Sequence, residues 1–161
     1  MTDTDWMRLA LREARLALNE GEVPVGAVLV RGDTLLARAH NRREALQDPT
    51  AHAELICLRE GGAALDGWRL TGCTLYVTLE PCPMCAGALA ESQLGSCVYG
   101  AADPAKGCCG SVYDLPADPL LHSAVTWRNG VLAEECAQLL RVFFQQRRKR
   151  EDGRDSAADG E

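Results

Sequence analysis

The stretch CTLYVTLEPCPMCAGAL (residues 73–89) combines the signals of a buried strand and of a helix that follows it closely. Its first seven residues show no alternation of apolar and polar side chains, which is typical of a strand covered on both faces. Pro81 ends this strand, and Pro83 is favoured in a first helical turn. The spacing of Cys82 and Cys85 puts both sulfur atoms on one face of that helix start. The stretch therefore predicts a strand, a short break and a helix that presents two thiols.

The segments on either side of this stretch predict an α/β fold. Apolar residues at helical spacing predict a first helix that ends at Gly21, and an Arg-Gly-Asp turn at 31–33 predicts a hairpin. The remaining segments are a polar loop at 41–50, a helix from near Thr50 to Gly61, short strands at 96–100 and 124–127, and a last helix at 133–150. The order α-β-β-α-β-α-β-α-β-α predicts a three-layer α/β/α sandwich around a central mixed five-stranded sheet. We expect the first strand pair to be antiparallel and neighbours joined through helices to be parallel.

The length of 161 residues predicts one domain, which we place at residues 1–150. Residues 151–161 are acidic and rich in Gly and Asp, and we expect a disordered tail there. No apolar stretch approaches the ~20 residues that a membrane helix needs, and the start lacks the pattern of a signal peptide. We therefore expect a cytoplasmic protein with no membrane partner. Its eight cysteines then stay reduced, and some of them can bind metal.

The charge of the chain is uneven. The net charge of −6 argues against a nucleic-acid partner, but residues 141–150 carry five positive side chains and no acid. This basic segment suits either a solvated helix end or a phosphate-binding surface.

The stretch HAE (residues 52–54) supplies a third candidate metal ligand and a carboxylate beside the two thiols. His52 is a third ligand suited to zinc, and three protein ligands leave the fourth tetrahedral position to water, as in catalytic sites. Glu54 could then take a proton from that water and pass it on. Positions i and i+2 do not face each other on a regular helix, so His52 and Glu54 converge only near a helix start. Thr50 and the preceding Asp-Pro pair indicate such a start.

Other interpretations of these residues stay open at this point. Cys82 and Cys85 alone also suit a redox dithiol, which would leave His52 unexplained. A structural zinc site would need a fourth ligand, for which the candidates are His40, His122 or the adjacent pair Cys108 and Cys109. A zinc-stabilised binding module without turnover is a further alternative.

The two motifs resemble a known signature. HAE followed by PCPMC is similar to the His-x-Glu and Pro-Cys-x-x-Cys motifs of zinc-dependent nucleoside deaminases. The wider stretches EVPVGAVLV, DPTAHAE, YGAADPAKGCCGS and GVLAEECAQLL resemble the bacterial tRNA-specific adenosine deaminases. The resemblance implies a cytidine deaminase-like fold, one Zn²⁺ per subunit, a homodimer, and hydrolysis of adenosine to inosine at the wobble position of an arginine tRNA anticodon. A deaminase of a free base or nucleoside, such as guanine or cytosine, is the alternative, and the acidic net charge favours it.

The resemblance also implies roles for individual residues. It assigns zinc binding to His52, Cys82 and Cys85, and proton transfer to Glu54. The implied substrate contacts are Asn41, the backbone N–H of Ala53, the apolar residues Val25 and Leu79, Asp103 beside the flanking nucleotide, and Phe143, Phe144 and Arg147 against the anticodon loop. The stretch PLLHSAVTW (119–127) departs from the family pattern, so His122 receives no role.

Overall fold

The computed structural model describes residues 1–158, and the side chains of residues 1–155. Its elements are α1 (Asp3–Asn19), β1 (Gly26–Arg31), β2 (Thr34–His40), α2 (Arg43–Leu46), α3 (Ala53–Leu65), β3 (Thr74–Leu79), α4 (Pro83–Glu91), β4 (Ser96–Ala101), β5 (Thr126–Arg128) and α5 (Ala133–Ala158). Two short 3₁₀ helices, Leu115–Ala117 and Pro119–Leu121, lie between β4 and β5. None of the described helices is both long and apolar enough to span a bilayer.

The five strands form one mixed sheet in the order β2-β1-β3-β4-β5. β1 pairs antiparallel with β2, as predicted for the hairpin, and also antiparallel with β3. β3, β4 and β5 run parallel to one another, as predicted, although α4 joins only β3 to β4. The chain passes from β2 through α3 to β3 and leaves β1 between them, so the sheet is mixed rather than parallel throughout.

Helices cover both faces of this sheet and form the predicted three layers. On one face, Met7 of α1 and Cys136 of α5 pack in a core cluster with Tyr76. On the other face, α3 and α4 pack in a second cluster that includes Leu75 and Val77. Consecutive residues of β3 thus point into different cores. Apolar side chains are needed on both faces, which is why β3 shows no alternation.

Gly26 lets α1 lie directly on the sheet. A Cβ atom at this position would come within 2.0 Å of the Ala10 carbonyl oxygen and 2.4 Å of the Ala14 nitrogen. Both are backbone atoms of α1, so a side chain at position 26 could be accommodated only if the whole helix moved away from the sheet. The absence of a side chain at Gly26 therefore sets the distance between α1 and β1.

Two segments between the strands differ from the prediction. The loop predicted at 41–50 contains the short helix α2, whose first N–H groups are held by Glu22: its carboxylate accepts from the nitrogens of Glu44 and Ala45. The helix implied between β4 and β5 is replaced by the two 3₁₀ turns. Pro116 and Pro119 stand at their starts, and proline has no N–H to extend a helix that precedes it.

The C-terminal segment also differs from the prediction. α5 does not end at Arg150 but continues as a helix through Ala158, so residues 151–158 of the predicted disordered tail are helical. One contact crosses the boundary, an ion pair of 3.5 Å between Arg147 and Glu151 one helical turn apart. Residues 159–161 of the predicted tail lie outside the described residues.

Candidate metal centre and active site

Two helix starts bring the predicted metal ligands together. His52 is the N-cap of α3 and Cys82 is the N-cap of α4, both with extended backbone. Neither side chain caps its own helix, so both are free to point into the space between the two helices. His52 Nδ1 lies 3.7 Å from Cys82 Sγ and 3.5 Å from Cys85 Sγ.

These distances fit a tetrahedral zinc ion. Zinc binds sulfur at ~2.3 Å and nitrogen at ~2.0 Å, which places N and S ligands at the corners of a tetrahedron about 3.5 Å apart. The three ligand atoms all lie within 4.8 Å of one another, and they form the one such group of His, Cys, Asp and Glu side chains in the described part of the chain. None of the candidates for a fourth protein ligand belongs to this group. The arrangement is therefore that of a three-ligand centre with an open position.

The two thiols already differ in their affinity for a proton. The hydrogen bond from Cys85, assisted by the His52 ring, lowers the pKa of the Cys82 thiol to about 4 despite its partial burial. The same hydrogen bond and burial raise the pKa of Cys85. One sulfur is thus prepared as a thiolate, the form that binds metal.

The Glu54 side chain places a carboxylate oxygen without a hydrogen-bond partner beside the three metal ligands. It is the second residue of α3 and only 3% of its surface is exposed. Its Oε1 is one of two buried side-chain oxygens without a hydrogen-bond partner among the described residues, the other being Ser96 Oγ. Burial raises the pKa of the Glu54 carboxyl. Because a buried oxygen without a partner is costly, this atom points to a ligand that completes the site.

The helix start also resolves the spacing of His52 and Glu54. His52 lies outside the helix with φ −77° and ψ 151°, whereas Glu54 has already entered it. The rule that i and i+2 face apart applies within a helix and does not apply across its cap. The start lies at Ala53, three residues beyond the predicted Thr50, and this shift makes the convergence possible.

Asn41 lies against the same helix start, beside Ala53 and Val25, which are also predicted substrate contacts. The side-chain Oδ1 of Asn41 accepts the backbone N–H of Ala53 at 2.8 Å. The backbone N–H of Asn41 donates to the Val25 carbonyl at 3.1 Å. The Ala53 N–H, which the resemblance assigned to the substrate, is therefore already used within the protein. Asn41 Nδ2 makes no hydrogen bond to the described residues and stays available. Asn41, Ala53 and Val25 are all buried at this point.

Leu79 and Asp103 lie at the ends of the adjacent strands β3 and β4. Leu79 is half-buried and pairs with Ala101 across the sheet. Asp103 follows two residues later, and its Oδ1 accepts the N–H groups of Ala105 and Lys106. The following loop folds back onto Glu80, a buried residue that the sequence analysis missed although it stands two positions before Cys82.

A cavity of about 670 Å³, here called the α5 groove, runs from Asn41 along α5. Its lining includes Arg147 and Phe143, two of the residues assigned by the resemblance to the anticodon loop. Phe144 does not line it and packs edge-on against Phe143 at 5.3 Å with 44% of its surface exposed. Three further arginines line the groove: Arg150, which belongs to the basic segment 141–150, and Arg43 and Arg154, which the sequence analysis did not single out. Four arginines and two glutamates, Glu22 and Glu44, thus line a groove that shares Asn41 with the start of α3.

Comparisons with known proteins agree with this geometry. Residues 1–101 match the family described as the cytidine and deoxycytidylate deaminase zinc-binding region. The tRNA-specific adenosine deaminase of Bacillus subtilis is 47% identical over 148 residues, which are 92% of this chain and 92% of that protein. A solved structure from a study of A-to-I editing by tRNA:A34 deaminases at the wobble position superimposes with a TM-score of 0.83 at 44% identity, and the match covers 85% of this chain and 99% of that one. The guanine deaminase of Bacillus subtilis reaches a TM-score of 0.61 at 34% identity over 63% of this chain and 66% of its own.

Proposed function

The chain belongs to the zinc-binding cytidine and deoxycytidylate deaminase family, and from this membership we propose that it converts adenosine to inosine at the wobble position of a tRNA anticodon. One observation carries the chemistry: the buried, unpartnered Oε1 of Glu54 beside three donors with zinc spacing. The substrate rests on the higher identity to tRNA-specific adenosine deaminases, 47% over 148 residues, than to a guanine deaminase, 34%.

In this proposal His52, Cys82 and Cys85 hold one zinc ion per chain. The donor set of one nitrogen and two sulfurs suits zinc and leaves a fourth position open. When bound there, zinc would lower the pKa of a water toward about 7 and so supply a nucleophile near neutral pH.

Glu54 moves the two protons that the reaction requires. Its carboxylate takes one proton from the attacking water and delivers it to N1 of the adenine ring. It then takes the second proton of the same oxygen and delivers it to the exocyclic nitrogen, which leaves as ammonia. Water enters, ammonia and inosine leave, and Glu54 returns to its starting state. Its burial keeps bulk water away from both transfers.

The residues around Glu54 are assigned to the substrate. Asn41 Nδ2 is the donor available to the nucleoside, because Oδ1 is held by Ala53. Ala53 contributes its small size, which leaves room for the base beside the helix start. Val25 and Leu79 form apolar walls, and Asp103 contacts the nucleotide that flanks the target.

The α5 groove is assigned to the phosphates of the anticodon loop. Its lining includes Arg147, Arg150 and Arg154 from α5 and Arg43 from α2. Guanidinium groups bind phosphate with paired hydrogen bonds. An adenosine in an anticodon loop is already single-stranded, so moving it into the buried site costs less than from a duplex. We assign the loop to an arginine tRNA and the protein to the cytoplasm.

A homodimer is the further part of the proposal. The outer side of α3 and α4 carries a second cavity of about 680 Å³, lined by Leu55, Leu58 and Trp68 among others. Trp68 is 57% exposed and the guanidinium of Arg69 lies 4.4 Å from its ring centre. Exposed Trp and Arg are enriched at protein interfaces, and a second copy of the chain is the partner we assign to this face.

A deaminase of free guanine, cytosine or their nucleosides remains the second candidate. The likeness to a guanine deaminase and the net charge of −6 favour it. It would use the same zinc ligands and Glu54 but would not need the α5 groove.

The test is deamination of an arginine tRNA anticodon stem-loop with adenosine at the wobble position. We expect inosine and an equal amount of ammonia from this RNA. The matched control is the same stem-loop with the adenosine moved to the stem, which should stay unchanged. Free guanine and cytosine should also stay unchanged. Turnover of a free base with none of the stem-loop would overturn the proposal in favour of the second candidate.

A further inference from the structure

We propose that Glu80 is a positioning residue that sets the preference for the nucleotide flanking the target adenosine. The inference rests on the proposed function, because it acts through Asp103. Glu80 does not touch the substrate site itself: it is 2% exposed and lies between the end of β3 and the zinc ligand Cys82.

Both carboxylate oxygens of Glu80 hold the loop that follows β4. Oε1 accepts the N–H of Asp103 at 3.1 Å and the hydroxyl of Ser111. Oε2 accepts the N–H of Cys109 at 3.0 Å and the N–H of Ser111 at 3.1 Å. One buried side chain thus satisfies three backbone N–H groups of residues 103–111, and few alternatives exist for these groups inside the protein.

The same loop also packs closely on the Glu80 carboxylate. A Cβ atom at Gly107 would meet the Glu80 carboxylate atoms at 2.3 to 2.5 Å. The N–H of Cys108 donates to the Pro81 carbonyl at 2.9 Å, which fixes the loop beside the metal-binding turn. Asp103, Cys108, Cys109 and Ser111 are thus held against Glu80 and Pro81, the two residues that precede Cys82.

Asp103 receives its orientation from this arrangement. Its N–H is held by Glu80, and its Oδ1 is held by its own turn through Ala105 and Lys106. Its Oδ2 has no partner among the described residues and is the atom free to contact RNA. Glu80 therefore determines where this oxygen lies relative to the zinc ligands.

Glu80→Gln removes one part of this support selectively. An amide keeps one oxygen, which can still accept from Cys109 and Ser111 at the Oε2 position. Its NH₂ group then takes the Oε1 position, where the Ser111 hydroxyl can turn to accept from it. The backbone N–H of Asp103 cannot form a hydrogen bond with this NH₂ group, because both groups are donors. The variant should thus release Asp103 while it keeps the rest of the loop.

The experiment measures kcat/KM on two stem-loops that differ only in the nucleotide flanking the wobble adenosine. Glu80→Gln should lower the ratio between the preferred and the other stem-loop about ten-fold, equivalent to about 1.4 kcal/mol. In an Asp103→Asn background, which keeps the turn but changes the free oxygen, Glu80→Gln should lower the ratio no further. A residue that only stabilises the fold would slow both substrates equally and would leave the ratio unchanged.

Glu13→Gln is the matched control. Glu13 is also a buried carboxylate with both oxygens held, but its partners are Arg38 and His40 of β2, and it does not line the α5 groove. Any effect of Glu13→Gln on the ratio should add to that of Asp103→Asn. An unchanged ratio in Glu80→Gln, or additivity with Asp103→Asn, would overturn the role of Glu80. A wild-type protein that deaminates neither stem-loop would instead overturn the proposed function, and with it this inference.

Discussion

Removing arginines from the α5 groove should weaken RNA binding in a way that depends on salt. Each guanidinium that neutralises a phosphate releases condensed counterions, and the release becomes less favourable as salt rises. The perturbation is the double substitution Arg150→Ala and Arg154→Ala, which removes two of the four arginines that line the groove. Arg147 is kept in the parent and in the double variant. It counts as a phosphate contact in both, because its exposed ion pair with Glu151 is weak and a phosphate can replace it.

The size of the effect follows from the number of arginines. If all four contact phosphates of a single-stranded loop, the logarithm of the association constant falls with a slope of about −2.8 against log salt. Affinity then drops about 50-fold between 50 and 200 mM salt. With two arginines removed the slope is about −1.4, and the same change of salt costs only about 7-fold.

The assay measures binding of the anticodon stem-loop to Glu54→Gln protein, in which no turnover should disturb the equilibrium, over a series of salt concentrations. Arg148→Ala is the control, because Arg148 is exposed on α5 but does not line the groove. It should leave the slope near that of the unsubstituted groove. Equal slopes for the double variant and for the parent would refute the assignment of the groove to RNA.

Three further predictions concern stability and metal. Gly26→Ala should lower the free energy of unfolding by about 3 kcal/mol, because the new methyl group meets backbone atoms of α1. Gly61→Ala, where it meets the movable end of a leucine side chain, should cost less when both are measured by denaturant unfolding. Removal of zinc with a chelator should lower Tm and abolish deamination, and zinc but not magnesium should restore both, as calorimetry and ammonia release would report. Burial raises the pKa of Asp3, but hydrogen bonds from Tyr76 and Arg128 outweigh it and leave the pKa below its ordinary 3.8. Its contribution to stability is therefore fully present above pH 3.8 and lost as pH falls through the lower folded value, so wild type and Asp3→Asn should converge in acid unfolding curves.

Local patterns predicted much of the fold and the metal ligands. The strand β3 and the start of α4 follow from the apolar run and from Pro83, both of which act within a few residues. His52, Cys82 and Cys85 could be grouped because only a few residue types bind zinc. The position of His52 as an N-cap could not be fixed, because a helix start is uncertain by a few residues in sequence.

The remaining residues depend on contacts that are distant in sequence. Glu80 looks like an ordinary polar residue after a strand until the loop at 103–111 is seen to close over it. Packing determines which side chains of α5 point toward the groove, and adjacent residues of a helix differ by about 100° in direction. For this reason, of the two phenylalanines expected to contact RNA, Phe143 lines the groove and Phe144 does not.

The central claim is that three side chains hold the metal while Glu54 moves the protons. The most direct test measures zinc content and inosine formation on the same preparations of wild type and Glu54→Gln. The account predicts one zinc ion per chain in both proteins, inosine from the wild type, and none from the variant. Loss of zinc from Glu54→Gln would show that Glu54 is a ligand, and undiminished inosine formation would show that it moves no proton; either result would contradict the account.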